Sequence, residues 1–144
     1  MYTPSGVKTS SAFPIPEKMK AWVLGGVGEL KYVDKAVPVP ARAEVLVRID
    51  AVAICATDLD VIYEGPPAII EGGPPYNKNF TPGHEYMGTV VALGPGVDEF
   101  NIGDRITVEI HAGCGQCKRC RQGMYTSCLN YGLNYGDVNK GHRA

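Results

Sequence analysis

The chain has 144 residues, 44% hydrophobic and 20% charged, the size and make-up of about one globular domain. Its formal net charge of -1 gives no bias toward polyanions, so a nucleic-acid partner is not expected. No stretch approaches the ~20 apolar residues that span a bilayer, and the first residues lack a signal-peptide core; a cytoplasmic protein without a membrane partner is expected.

The 18 glycines and 11 prolines favour short strands joined by turns over long helices. Residues 1–18, polar and broken by proline, read as a flexible tail. Residues 19–24 (MKAWVL) alternate as a first strand, Gly25, Gly26 and Gly28 make a turn, and residues 30–33 pair back as a hairpin. VPVPARAE is a proline-limited connector. Residues 44–54 (EVLVRIDAVAI) form the strongest strand pattern, with Val45, Val47, Ile49 and Ala51 on one face. Thr57 or Asp58 can then cap a short helix running through Tyr63. Residues 64–80, rich in proline and glycine, read as an irregular loop. Two more strands follow, 86–93 (YMGTVVAL) and 104–110 (DRITVEI), joined through two tight turns in GPGVDEFNIGDRI. The expected architecture is mainly β, in Greek-key or barrel order, with short helices and a cysteine-bearing lobe over about residues 111–130.

That lobe reads CGQCKRCRQGMYTSC: Cys114, Cys117, Cys120 and Cys128 at C-x2-C-x2-C-x7-C spacing. Two intervening residues let paired sulfurs turn toward one point, and the longer gap lets the chain return to complete a tetrahedron. Soft thiolates suit Zn²⁺, and a closed shell of four leaves no position for substrate, so the site is structural. Disulfides are the alternative; an odd total of five cysteines and a reducing compartment weigh against them. A redox dithiol lacks its βαβ setting, and a nucleic-acid zinc ribbon would split its cysteines into distant pairs. Lys118, Arg119 and Arg121 either help keep the sulfurs ionised or form an ordinary solvated face.

The fifth cysteine, Cys55, ends the strongest strand as ICATDLD, and His84 and Glu85 stand in TPGHEYMG just before another strand. A thiol, an imidazole and a carboxylate at strand ends could converge on one metal, although each alone is more often a core or surface residue. Gly83 either permits a close approach to that metal or is a plain turn glycine, and Glu109, His111 and His142 take no role.

ICATD, then TPGHEYMGTVVALGPGVDEFNIGDRI, then the four-cysteine lobe closely resemble the zinc-dependent, medium-chain alcohol and polyol dehydrogenases, over about residues 20–128. The resemblance implies a distorted β-barrel similar to the co-chaperonin GroES, occupying residues 19–144. It also implies an enzyme that oxidises an alcohol or polyol to an aldehyde or ketone with NAD or NADP. By this likeness Cys55 and His84 would hold a catalytic zinc and Glu85 would be a nearby or exchangeable ligand. Thr57 would relay the alcohol proton, and Asp58 would accept a hydrogen bond from the non-ligating nitrogen of His84.

The chain departs from the family in two ways. No G-x-G-x-x-G follows a strand, so a nucleotide-binding domain is not expected here and the chain alone should be inactive. A partner chain could supply the missing half, and a homo-oligomer is a separate expectation; the alternative is a stand-alone zinc-stabilised β-barrel acting as a binding or scaffold module. The second departure is the loop of residues 64–80, which would line a substrate pocket or be a tolerated surface insertion.

Overall fold

The computed structural model describes residues 6–64, 81–110 and 113–129. Of the loop expected over residues 64–80, Glu64 instead ends a helix and the rest lies outside the described residues, as do His111, His142 and the segment after Leu129. Six strands and two short helices make the described chain mainly β, as the composition implies. The chain divides into two compact units. The first contains residues up to Ala21, Val33–Ala53 and Glu85–Val108; the second contains Trp22–Tyr32, Ile54–His84 and the residues from Glu109.

The first unit is organised around one strand. β1 (Lys8–Thr9), β4 (Val45–Ala53), β5 (Glu85–Leu93) and β6 (Arg105–Thr107) form a four-stranded sheet in which β5 pairs antiparallel with all three others. β4 runs along one edge of β5, while β1 and β6 share the other at opposite ends. The buried run therefore falls on β5: Thr89, Val90, Val91, Ala92 and Leu93 are all buried, on both faces. Such a continuous Val-rich run is the pattern of a central strand.

The strand with the strongest sequence pattern is not the core. Residues 48–53 of β4 are exposed, Ile49 and Val52 among them, because period-two alternation marks a strand without saying whether neighbours cover it. Nor does its alternation run unbroken, since the ladder to β5 shifts register twice.

Other differences are local. Within the stretch expected as a flexible tail, Lys8 and Thr9 form β1 against Leu93 and Ala92. The Phe13 ring lies within contact distance of where a Gly103 side chain would start. β6 covers only three of the seven residues expected, since it pairs with Met87, Gly88 and Thr89 alone, although the Val108 N–H still donates to the Tyr86 carbonyl. Glu109, read as a strand residue, lies beyond β6. The two tight turns fall where expected, with positive φ at Gly96 and Gly103.

β2 (Lys18–Gly26) and β3 (Glu29–Ala36) form the expected hairpin as a separate two-stranded sheet. Its turn is narrower than the glycine cluster suggested: Gly25 and Gly26 stay in the strand, and Gly28 alone takes the left-handed φ of +74°. In the second unit the Gly28 N–H donates to the Ile62 carbonyl, tying the hairpin tip to helix α1 (Ala56–Glu64).

Candidate metal centres

Helix α1 begins at Ala56, two residues earlier than a Thr57 cap would place it and three earlier than an Asp58 cap. Cys55 occupies the position before it, and Asp58 sits in its first turn. The Asp58 carboxylate reaches back to accept from the Cys55 N–H at 3.0 Å, the returning half of a capping box, so Asp58 works as the third helical residue rather than as the cap. This contact fixes the backbone that carries the Cys55 thiol.

The same carboxylate makes two more contacts. Oδ1 accepts from the Gly83 N–H at 3.0 Å and lies 3.1 Å from His84 Nδ1. Asp58 is buried, with 5% of its surface exposed, so a charge that would be costly alone is matched by three donors. With Nδ1–H donating to a carboxylate, Nε2 is the His84 nitrogen left to bind a metal. Gly83 has a φ of +98°, a conformation that glycine adopts freely and a side-chain-bearing residue rarely does.

The three expected donors come together. A Cys55 sulfur, a His84 nitrogen and a Glu85 carboxylate oxygen all lie within 4.8 Å of one another. Thr57 Oγ1 is 3.7 Å from Cys55 Sγ and exposed. One thiol, one imidazole and one carboxylate match the donor types of a three-ligand zinc site, which keeps its fourth position for a water or substrate.

The four lobe sulfurs also lie within 4.8 Å of one another. Cys114 Sγ and Cys120 Sγ are 4.0 Å apart, close to the ~3.8 Å edge of a tetrahedron with metal–sulfur arms of about 2.3 Å. Backbone N–H groups point at the sulfurs. Gln116 and Cys117 donate to Cys114 Sγ, Cys120 to Cys117 Sγ, and Cys114 to Cys128 Sγ. Each C-x2-C step is thus a turn that aims amides at the preceding sulfur.

The second step continues into helix α2 (Lys118–Arg121). Gly123, at φ +78°, closes it: the Gly123 N–H bonds to the Cys120 carbonyl and the Met124 N–H to the Arg119 carbonyl, a Schellman pair. A 3-10 turn at Tyr125–Ser127 then returns Cys128 to the cluster. Gly113 escaped the sequence reading. A Cβ there would stand 2.7 Å from Tyr125 Cβ and 2.9 Å from Cys120 Sγ, so only glycine lets the chain pass the sulfurs.

The thiols differ in acidity. The Cys117 thiol is lowered, first by the Cys120 backbone N–H and then by that of Leu129. Desolvation pushes Cys120 up to about 11.

The sequence model of the alcohol dehydrogenase GroES-like domain matches residues 41–142. The chain belongs to this family. Relatives include a sorbitol dehydrogenase from Bacillus subtilis, 38% identical over 79% of this chain, and an L-threonine 3-dehydrogenase from Pyrococcus horikoshii, 42% identical over 71% of it. The matched regions are 31% and 28% of those two proteins, so the chain spans about a third of their length. Among solved structures, a cobalt- and zinc-bound thermostable alcohol dehydrogenase from Pyrobaculum aerophilum is similar. It superposes with a TM-score of 0.71 at 29% identity, over 80% of this chain and 33% of that one. Among the described residues no helix is long and apolar enough to cross a membrane.

Proposed function

We propose that this chain is the zinc-binding, catalytic-domain part of a dehydrogenase that oxidises an alcohol or polyol with NAD or NADP. The observation that carries the proposal is the convergence of Cys55, His84 and Glu85, with a buried Asp58 behind the imidazole. Cys55 and His84 hold the catalytic zinc and Glu85 is its neighbouring or exchangeable ligand. Cys114, Cys117, Cys120 and Cys128 hold a second, structural zinc. When bound at the first site, zinc supplies a Lewis acid that lowers the pKa of an alcohol oxygen.

The chain's own residues do the rest. Asp58 keeps the proton of His84 on Nδ1 and holds the Cys55 and Gly83 backbones in place. Thr57, exposed beside the Cys55 sulfur, takes the hydroxyl proton and passes it outward. A nicotinamide cofactor, when bound, would supply the acceptor for the hydride of the carbinol carbon. The names of the relatives span a polyol and a hydroxy amino acid, in keeping with that substrate class.

Metal stoichiometry tests the reading. Two zinc ions per chain are expected, with Cys55 protected from alkylation in the folded protein, and no NAD(P)-dependent turnover by the isolated chain. One zinc per chain, with Cys55 freely alkylated, would instead favour a stand-alone zinc-stabilised module.

A further inference from the structure

The β4–β5 ladder contains two register shifts that cancel. Val45 and Leu46 face Leu93 and Ala92; then Val91 is passed over, and Val47, Arg48 and Ile49 face Val90, Thr89 and Gly88. Asp50 is passed over in turn, and Ala51, Val52 and Ala53 face Met87, Tyr86 and Glu85 in the starting register. Each passed-over residue is the extra one of a β-bulge.

The second bulge decides where the chain leaves the ladder. Cys55 lies two residues beyond Ala53, and His84 immediately precedes Glu85. Had the intermediate register continued, Ala53 would face His84 instead of Glu85. Cys55 would then lie one residue, about 3.3 Å, further along, with its side chain on the opposite face.

Side chains secure this bulge. The buried Thr89 hydroxyl donates to Asp50 Oδ2 at 3.0 Å, and Arg48 Nε lies 3.6 Å from Asp50 Oδ1. Gly88, beside the bulge, has no room for a side chain: a Cβ would stand 2.3 Å from the Arg48 carbonyl oxygen and 2.6 Å from Val47 Cγ1. The bulge is thus held by a hydroxyl–carboxylate bond on one strand pair and a glycine that lets the backbones close in.

We infer that Asp50 and Thr89 are positioning residues for the proposed catalytic zinc site, acting by locking the bulge that restores the register at which Cys55 meets His84. The inference rests on the zinc reading for its consequence but not for its geometry, and the two are separable by experiment.

The test uses the full chain, Thr89→Val and Asp50→Ala as disrupting variants, Thr89→Ser as the conservative one, and Cys55→Ser as control. Two quantities are read. One is the nuclear Overhauser contact between Cys55 β-protons and the His84 ring, which reports the juxtaposition whatever metal is bound. The other is the Co²⁺ affinity of the site whose charge-transfer absorption Cys55→Ser removes, with the four-cysteine site as internal reference. Thr89→Val and Asp50→Ala should weaken the contact and lower that affinity by at least about ten-fold and leave the four-cysteine site unchanged, while Thr89→Ser, which keeps the hydroxyl, should behave like the parent. Asp50 is an exposed residue whose side chain is about a third exposed, so its truncation leaves the core intact should Thr89→Val fail to fold. Unchanged contact and affinity in Asp50→Ala would overturn the inference. If the parent chain shows no absorption that Cys55→Ser removes, the zinc reading fails, and the contact alone decides: retained in Asp50→Ala it refutes the lock, lost it supports it.

Discussion

Removing the Asp58 carboxylate is the sharpest perturbation available. Oδ1 serves the Gly83 N–H and His84 Nδ1, and Oδ2 serves the Cys55 N–H, at 3.0 to 3.1 Å. In Asp58→Asn the single amide oxygen can serve the two-donor side, leaving its NH₂ group facing the Cys55 N–H. One charge-assisted bond is lost and two donors confront each other, a cost of about 1–3 kcal/mol. In Asp58→Ala all three donors lose their acceptor inside a buried pocket, and about 3–5 kcal/mol is expected. The zinc affinity of the Cys55–His84 site should fall about 10- to 100-fold in Asp58→Asn, because the imidazole keeps a partner but a weaker one, and further in Asp58→Ala. Urea unfolding at fixed zinc gives the stabilities, and competition titration gives the affinities. Parent-like zinc affinity in Asp58→Ala would refute the reasoning, as would an alanine variant no less stable than the asparagine one.

Strong chelation should open the lobe first, with trypsin cutting at Lys118, Arg119 or Arg121 before any site in the β4–β5 sheet; structural zinc in small peptides contributes roughly 10–16 kcal/mol to folding, so unchanged cleavage after metal removal would count against the lobe being a zinc site. Zinc uptake by the lobe should tighten as pH rises through the neutral range. The bound sulfurs are thiolates while the free Cys120 thiol, at about 11, is protonated, so each proton released steepens the rise, and a flat profile would exclude thiolate ligation. Gly94→Ala should destabilise the chain by about 3 kcal/mol or more, read as a lowered urea midpoint, because the new Cβ would stand 1.9 Å from the Ala41 carbonyl oxygen; a midpoint shift under half that size would show that the turn yields.

Much of the metal chemistry was legible because ligand spacing is a property of the chain itself. C-x2-C-x2-C-x7-C predicts a four-sulfur cluster, and the structure adds the amides, the short helix and Gly113 that make the turns work. The convergence of Cys55 with His84 was weaker in the sequence, since it depends on residues 29 positions apart. What carried it was the resemblance of ICATD and GHE to a family. The capping contact from Asp58 to Cys55 could have been read locally, as an acid three residues after the residue before a helix. Its contact with Gly83 could not, because nothing in the intervening residues announces it.

The sequence by itself determined the mainly β composition, the tight turns at Gly96 and Gly103, and the four-cysteine cluster, because each depends on residues near one another in the chain. Only the tertiary structure decided which strand is central. The EVLVRIDAVAI pattern is the stronger one, yet β5 is the buried strand because neighbours pair with both its edges. It also decided the register between β4 and β5, which shifts twice and returns to its starting pairing, with the Thr89 hydroxyl reaching Asp50 across the ladder at the second shift. A one-residue shift reverses a strand's faces, and no periodicity within either strand records where its partner begins.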